Sequence, residues 1–106
     1  MLDEGIIRFG SDSRRRMYGE ESIWFYKRGA ARAALGRTAE GEKDLRHAVE
    51  LEGRRWVHGR AELELGRLAL QSSDRSSANG HLRAAITLCE SDNDPLYAEQ
   101  ARQLLK

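Results

Sequence analysis

One pattern of small and apolar residues occurs twice at a fixed spacing, and it constrains the chain more than any other feature. Arg28-Gly29-Ala30-Ala31-Arg32-Ala33-Ala34-Leu35-Gly36 is followed by Gly41, Leu45, Ala48 and Leu51. Leu65-Gly66-Arg67-Leu68-Ala69-Leu70 is followed by Ala78, Leu82, Ala85 and Leu88, so that Gly29, Leu45, Ala48 and Leu51 each reappear 37 positions on and Gly41 falls on Ala78. Two supersecondary units therefore stand in tandem, and a repeat of this length reads as a helical solenoid. Glycine inside a helix costs roughly 1 kcal/mol against alanine. Glycines at equivalent points of two units imply a packing reason: Gly29 facing Gly41 and Ala48, and Gly66 facing Ala78 and Ala85, let paired helices approach closely.

The remaining sequence divides around these units. Leu2, Ile6 and Phe9 share one face of a short leading helix that Gly10-Ser11-Asp12-Ser13 ends, and the basic triplet Arg14-Arg15-Arg16 reads as a solvated connector. The first full unit starts near Glu20 or Glu21, with Ser22 as a cap. Its first helix, Ile23 to Leu35, is apolar or small almost all round and so touches neighbours on two sides. Gly36-Arg37-Thr38 supplies a stop and a capping threonine, and a second helix runs from about Ala39 to Glu52. The second unit begins at Trp56 or Val57 and breaks at Gln71-Ser72-Ser73-Asp74. Its return helix places Leu82, Ala85, Ile86 and Cys89 on one face. Asp94-Pro95 fits a cap with proline in the first turn of a last helix, Leu96 to Leu105. Six helices result, and the expected boundaries within a single 1–106 domain are 1–13, 21–55, 56–92 and 94–106.

Composition excludes several classes of function. A chain of 106 residues with 40% hydrophobic residues buries a modest core, and its single proline and few β-branched residues argue against an all-β fold. The 33% charged residues leave a net charge of +1, which draws the chain to neither nucleic acid nor an anionic membrane. No apolar run is long enough to span a bilayer, and the start lacks the pattern of a signal peptide, so the cytoplasm is the default compartment. Cys89 has no cysteine to pair with. His47, His58 and His81 stand at helical spacing neither from one another nor from Cys89, so no metal site is expected. No catalytic signature or phosphate-binding glycine loop is present, and neither an enzyme nor a cofactor is expected. Trp24 and Trp56, at helix starts, read as partly buried packing residues, with partner-binding anchors as the alternative.

The two units resemble the tetratricopeptide repeat (TPR) family, whose pattern sets an aromatic residue, Leu-Gly and Tyr on one helix and Ala, Phe and Ala on the next. The residues that carry the resemblance are Phe25, Arg28-Gly29, Arg32, Gly41, Leu45, Ala48 and Gly53, then Glu62, Leu65-Gly66, Ala69, Ala78, Leu82, Ala85 and Glu90. Tyr97, Ala101 and Leu104 continue it. Arg28 and Arg32 stand where the family is apolar, Glu62 replaces the aromatic, and the spacing is a few residues longer than usual. The resemblance implies an all-α fold of antiparallel helix hairpins stacked as a right-handed α-solenoid. It also implies a scaffold whose first helices line a concave surface that binds a peptide or protein. On this chain that surface comprises Tyr26, Ala30, Ala33, Leu63, Arg67, Leu70, Ala98 and Arg102. Its two arginines beside apolar residues suit a partner with apolar and acidic groups. Two other classes remain. The apolar ends, Leu2, Ile6 and Phe9 at one terminus and Leu96, Leu104 and Leu105 at the other, would suit a self-association module that buries them in a homo-oligomer. A nucleic-acid-binding module, the less favoured, would use Arg14 to Arg16, Arg54, Arg55 and Trp56.

Overall fold

The computed structural model describes residues 19–105, which form five helices joined by short connections. These are α1 (Glu20–Ala34), α2 (Thr38–Glu50), α3 (Arg55–Gln71), α4 (Arg75–Ser91) and α5 (Pro95–Leu104). The expected leading helix over Leu2 to Phe9 and the Arg14-Arg15-Arg16 triplet lie outside the described residues. No strand occurs among those described, and no described helix is long and apolar enough to cross a membrane. Each helix packs on the next, and α3 also touches both α1 and α5.

Three of the four connections share one backbone device. Gly36, Ser73 and Asn93 adopt left-handed conformations, with φ of 85°, 61° and 57°. In each case the following amide donates back to the helix just ended: Arg37 to Arg32, Asp74 to Ala69 and Asp94 to Cys89, at 2.8–2.9 Å. The left-handed residue itself donates to Ala33, Leu70 or Glu90. This is the Schellman arrangement, and here the residue that closes one helix is also the N-cap of the next, which makes the turn tight. Serine, with its β-carbon, is the poorest of the three residues for that conformation, which costs an L-residue roughly 1–2 kcal/mol. Ser73→Gly is therefore expected to stabilise the chain by about 1 kcal/mol and raise the melting temperature by roughly 4–8 °C. An unchanged melt in differential scanning calorimetry would contradict this.

The caps correct two expectations. Ser22 does not cap α1; it is fully buried, and its hydroxyl donates to the Ala48 carbonyl at 2.8 Å, tying α1 to the end of α2. Thr38 is the first residue of α2, after Arg37, and makes no capping bond. Asp74 does cap α4: the Ser77 amide donates to its carboxylate at 3.2 Å. That bond holds the Asp74 carboxyl below its ordinary pKa, so the cap stabilises above the usual carboxylate range and is lost as pH falls through it.

The paired small residues meet in the expected register. A β-carbon on Gly29 would lie 2.8 Å from the Leu45 side chain, and one on Gly66 2.8 Å from that of Leu82, the same contact 37 residues later. Gly41 faces the backbone of Gly29 and Ala33, while the close neighbour of Gly29 on the α2 side is Leu45 rather than the expected Ala48. Contacts such as Ser22 with Ala48 and Arg28 with Asp44 show that α1 and α2 run antiparallel, as do α3 and α4 through Glu62 with His81. The core falls into two clusters that share α3. Leu45, Ala48, Ala61, Leu65 and Leu68 form one, and Leu63, Leu82, Ala85 and Ala101 the other. The helix buried on two sides is thus α3, which sends Leu65 and Leu68 one way and Leu63 the other.

The polar contacts across the two hairpins place the carboxylate on opposite helices. Asp44 in α2 accepts from Arg28 at 2.5 and 2.8 Å and from Arg32 at 3.0 Å, almost wholly buried. Its equivalent in α4 is His81, which instead meets a carboxylate, Glu62, at 3.0 Å. That shared carboxylate accounts for two arginines on the α1 face that meets α2.

Candidate functional site

Alternate helices create one face. On α3, Trp56, Arg60, Glu64 and Arg67 follow one another at single-turn spacings and form a stripe. On α5, Tyr97 and Gln100 lie a turn apart and meet that stripe, and Tyr26 of α1 borders it on the other side. All seven residues are half-buried.

The centre of this face is Arg60. Its guanidinium donates to both oxygens of Asp94, at 3.0 and 3.3 Å. It also lies over two rings, 3.9 Å from the centroid of Tyr97 and 4.8 Å from that of Trp56. A planar cation held by a two-point carboxylate bond and stacked on aromatic faces is the geometry for which arginine, and not lysine, is suited. The bond to Asp94 raises the Arg60 pKa. Burial, followed by the neighbouring Tyr97, raises that of Tyr26, so its phenol stays protonated at neutral pH.

The turn that follows α4 supports the site from below. Asp94 is the N-cap of α5 and is followed by Pro95, as expected, but its side chain goes to Arg60 rather than to its own helix. Asp92 in the same turn accepts the Trp56 amide at 2.9 Å, so the first turn of α3, which has no side-chain cap of its own, is capped by a residue 36 positions away. Further along, Arg67 donates to Glu64 at 3.0 Å and to Gln100 at 2.7 Å. Arg60 and Arg67 are thus matched by Asp94 and Glu64, and the face carries no net charge.

The expected surface residues divide into three groups. Tyr26 and Arg67 lie on this face, and Ala30, Ala33 and Leu70 are half-buried on the same helices. Leu63 and Ala98 are 0% exposed and belong to the interior. Arg102 is exposed but pairs with Glu90 of α4 and with Glu99, which places it at the α4–α5 edge. Trp56, Arg60, Glu64, Tyr97 and Gln100 were not among the expected residues. The single-turn spacing of Trp56, Arg60, Glu64 and Arg67 along α3 is the sequence signal for the first three of these.

Other polar features have internal partners. His58 bonds the Leu51 carbonyl at 2.8 Å, and His47 sets its ring edge-on to Phe25. Cys89 packs against Gly59, and burial first, with Asp94 nearby, pushes its thiol up to about 11, which suppresses the thiolate at neutral pH. A pocket of about 560 Å³ on the outer side of α1 and α2 is walled by Phe25, Arg28, Arg32, Asp44 and His47, whose arginines bond Asp44. Leu104 and Leu105 of the expected apolar end pack on the second core cluster, whereas Leu96 is 64% exposed. In comparisons with known proteins, the chain matches no protein-family model, no curated protein and no solved structure.

Proposed function

We propose that this chain is a protein-interaction module of the TPR-like helical-repeat type, and that it binds a peptide or protein segment on the face built by α1, α3 and α5. The observation that carries the reading is the Trp56, Arg60, Tyr97 and Tyr26 cluster. Tyrosine, tryptophan and arginine are the residue types that dominate binding energies when a partner covers them, and here they sit half-buried on rigid helices that need no ordering. The alternate-helix contacts and the equivalent glycine seams support a repeat stack, in which this face is the concave one.

The charge pairing changes the expected partner. With Arg67 already bonded to Glu64 and Arg60 to Asp94, an acidic partner gains little from either arginine, and a neutral segment with apolar or flat groups fits better. Panning a random-peptide library against the whole chain and mapping a selected peptide by amide chemical shifts tests the reading. Saturable shifts on α1, α3 and α5 are expected. Shifts confined to the outer faces of α2 and α4 would place the site elsewhere and overturn it.

A further inference from the structure

We infer that the segment taken by this face is an extended, proline-rich one. The inference rests on the binding reading above and narrows it. Peptides are recognised in a small number of ways, and the face is ill-suited to the others. Strand addition needs an exposed sheet edge, and every element described is helical. A helix laid in a groove needs a trough of large apolar side chains, but Leu63, Leu65 and Leu68 of α3 are buried. The exposed leucines, Leu35 and Leu96, are single residues, one after the end of α1 and one in the first turn of α5, and do not form a trough. Capture of a phosphate or a carboxylate needs arginines with charge to spare, whereas Arg60 and Arg67 each hold a carboxylate.

The features that remain match a polyproline helix. Such a segment is extended before it binds, has no backbone N–H and presents carbonyls that need donors, while its rings pack on flat aromatic faces. Trp56 and Tyr97, each covered on one face by Arg60, and Tyr26 supply the rings, together with an indole N–H and two hydroxyl groups. The bond from Arg67 occupies the Gln100 carbonyl, which leaves its amide N–H groups as further donors. The face is neutral, as an uncharged ligand requires.

The test is titration of the whole ¹⁵N-labelled chain with an oligoproline peptide, with a Gly-Ser peptide of equal length and oligoarginine and oligoglutamate peptides beside it. The two tryptophans report separately, because Trp24 packs on Phe25 and Arg28, away from the cluster. Oligoproline is expected to shift the Trp56 indole resonance saturably and to leave that of Trp24 in place. Tyr97→Leu keeps apolar bulk but removes the ring, and is expected to weaken oligoproline binding about tenfold or more, whereas Tyr97→Phe, which keeps the ring and loses one hydroxyl donor, is expected to lose clearly less. Trp56→Leu, read by amide shifts on α5, is expected to show the same loss and serves if Tyr97→Leu fails to fold. Equal shifts from the Gly-Ser peptide, tighter binding of a charged peptide, or retained affinity in a folded leucine variant would overturn the inference. A charged peptide acting at Trp56 would leave the binding face standing, whereas no response at Trp56 to any peptide class, with library-selected peptides mapping elsewhere, would remove both.

Discussion

Asp44→Ala is expected to destabilise the chain by about 3 kcal/mol, because it takes from the hairpin a carboxylate that two guanidinium groups share. The Asp44 side chain is 4% exposed, and those of Arg28 and Arg32 are 10% and 14% exposed, so water recovers little of the lost interaction. Arg32 also lies 4.0 Å from Glu40. A buried ion pair is a poor stabiliser against an apolar replacement of similar volume but a costly thing to halve. Arg28→Leu, which installs the residue found at the equivalent Leu65, should therefore restore much of the loss when combined with Asp44→Ala. Chemical denaturation of the two single variants and the double variant checks this. Additive losses would mean that the pair is not coupled.

Gly41→Ala lowers stability, by about 1–2 kcal/mol, although alanine is the better helix former by roughly 1 kcal/mol. A β-carbon there would lie 2.9 Å from both the Ala33 amide nitrogen and the Gly29 carbonyl oxygen. Both neighbours are backbone, so no rotamer change relieves the contact and the two helices must part. Gly80, on the exposed side of α4, has nothing within 4 Å of the same position, and Gly80→Ala is expected to stabilise by about 0.5–1 kcal/mol. The opposite signs of one substitution at two helical glycines, read as melting temperatures, separate close packing from propensity. A gain at both positions would mean that the α1–α2 seam is looser than described.

The seam was legible in the sequence because it is made of what side chains lack: glycine and alanine repeated at one spacing leave few ways to pair the helices. The face was only partly legible. Of the residues expected on it, Leu63 and Ala98 are wholly buried. The stripe that is partly exposed on α3 runs through Trp56, Arg60, Glu64 and Arg67 instead, and its partners Asp94 and Gln100 stand 34 and 33 positions further on, beyond an intervening helix, where no local sequence pattern links them. The departures at Arg28 and Arg32 were visible, but their explanation lay in Asp44, on the neighbouring helix and 16 and 12 positions away.

The central claim, that the face shared by α1, α3 and α5 is where this chain binds, is tested most directly by one paired affinity measurement. A library-selected peptide is titrated into Tyr97→Leu and into Arg83→Glu, the latter on the exposed side of α4. Loss of affinity by about tenfold or more in Tyr97→Leu alone, with both variants folded, is the result the account predicts. Equal affinity in the two, or loss only in Arg83→Glu, would contradict it.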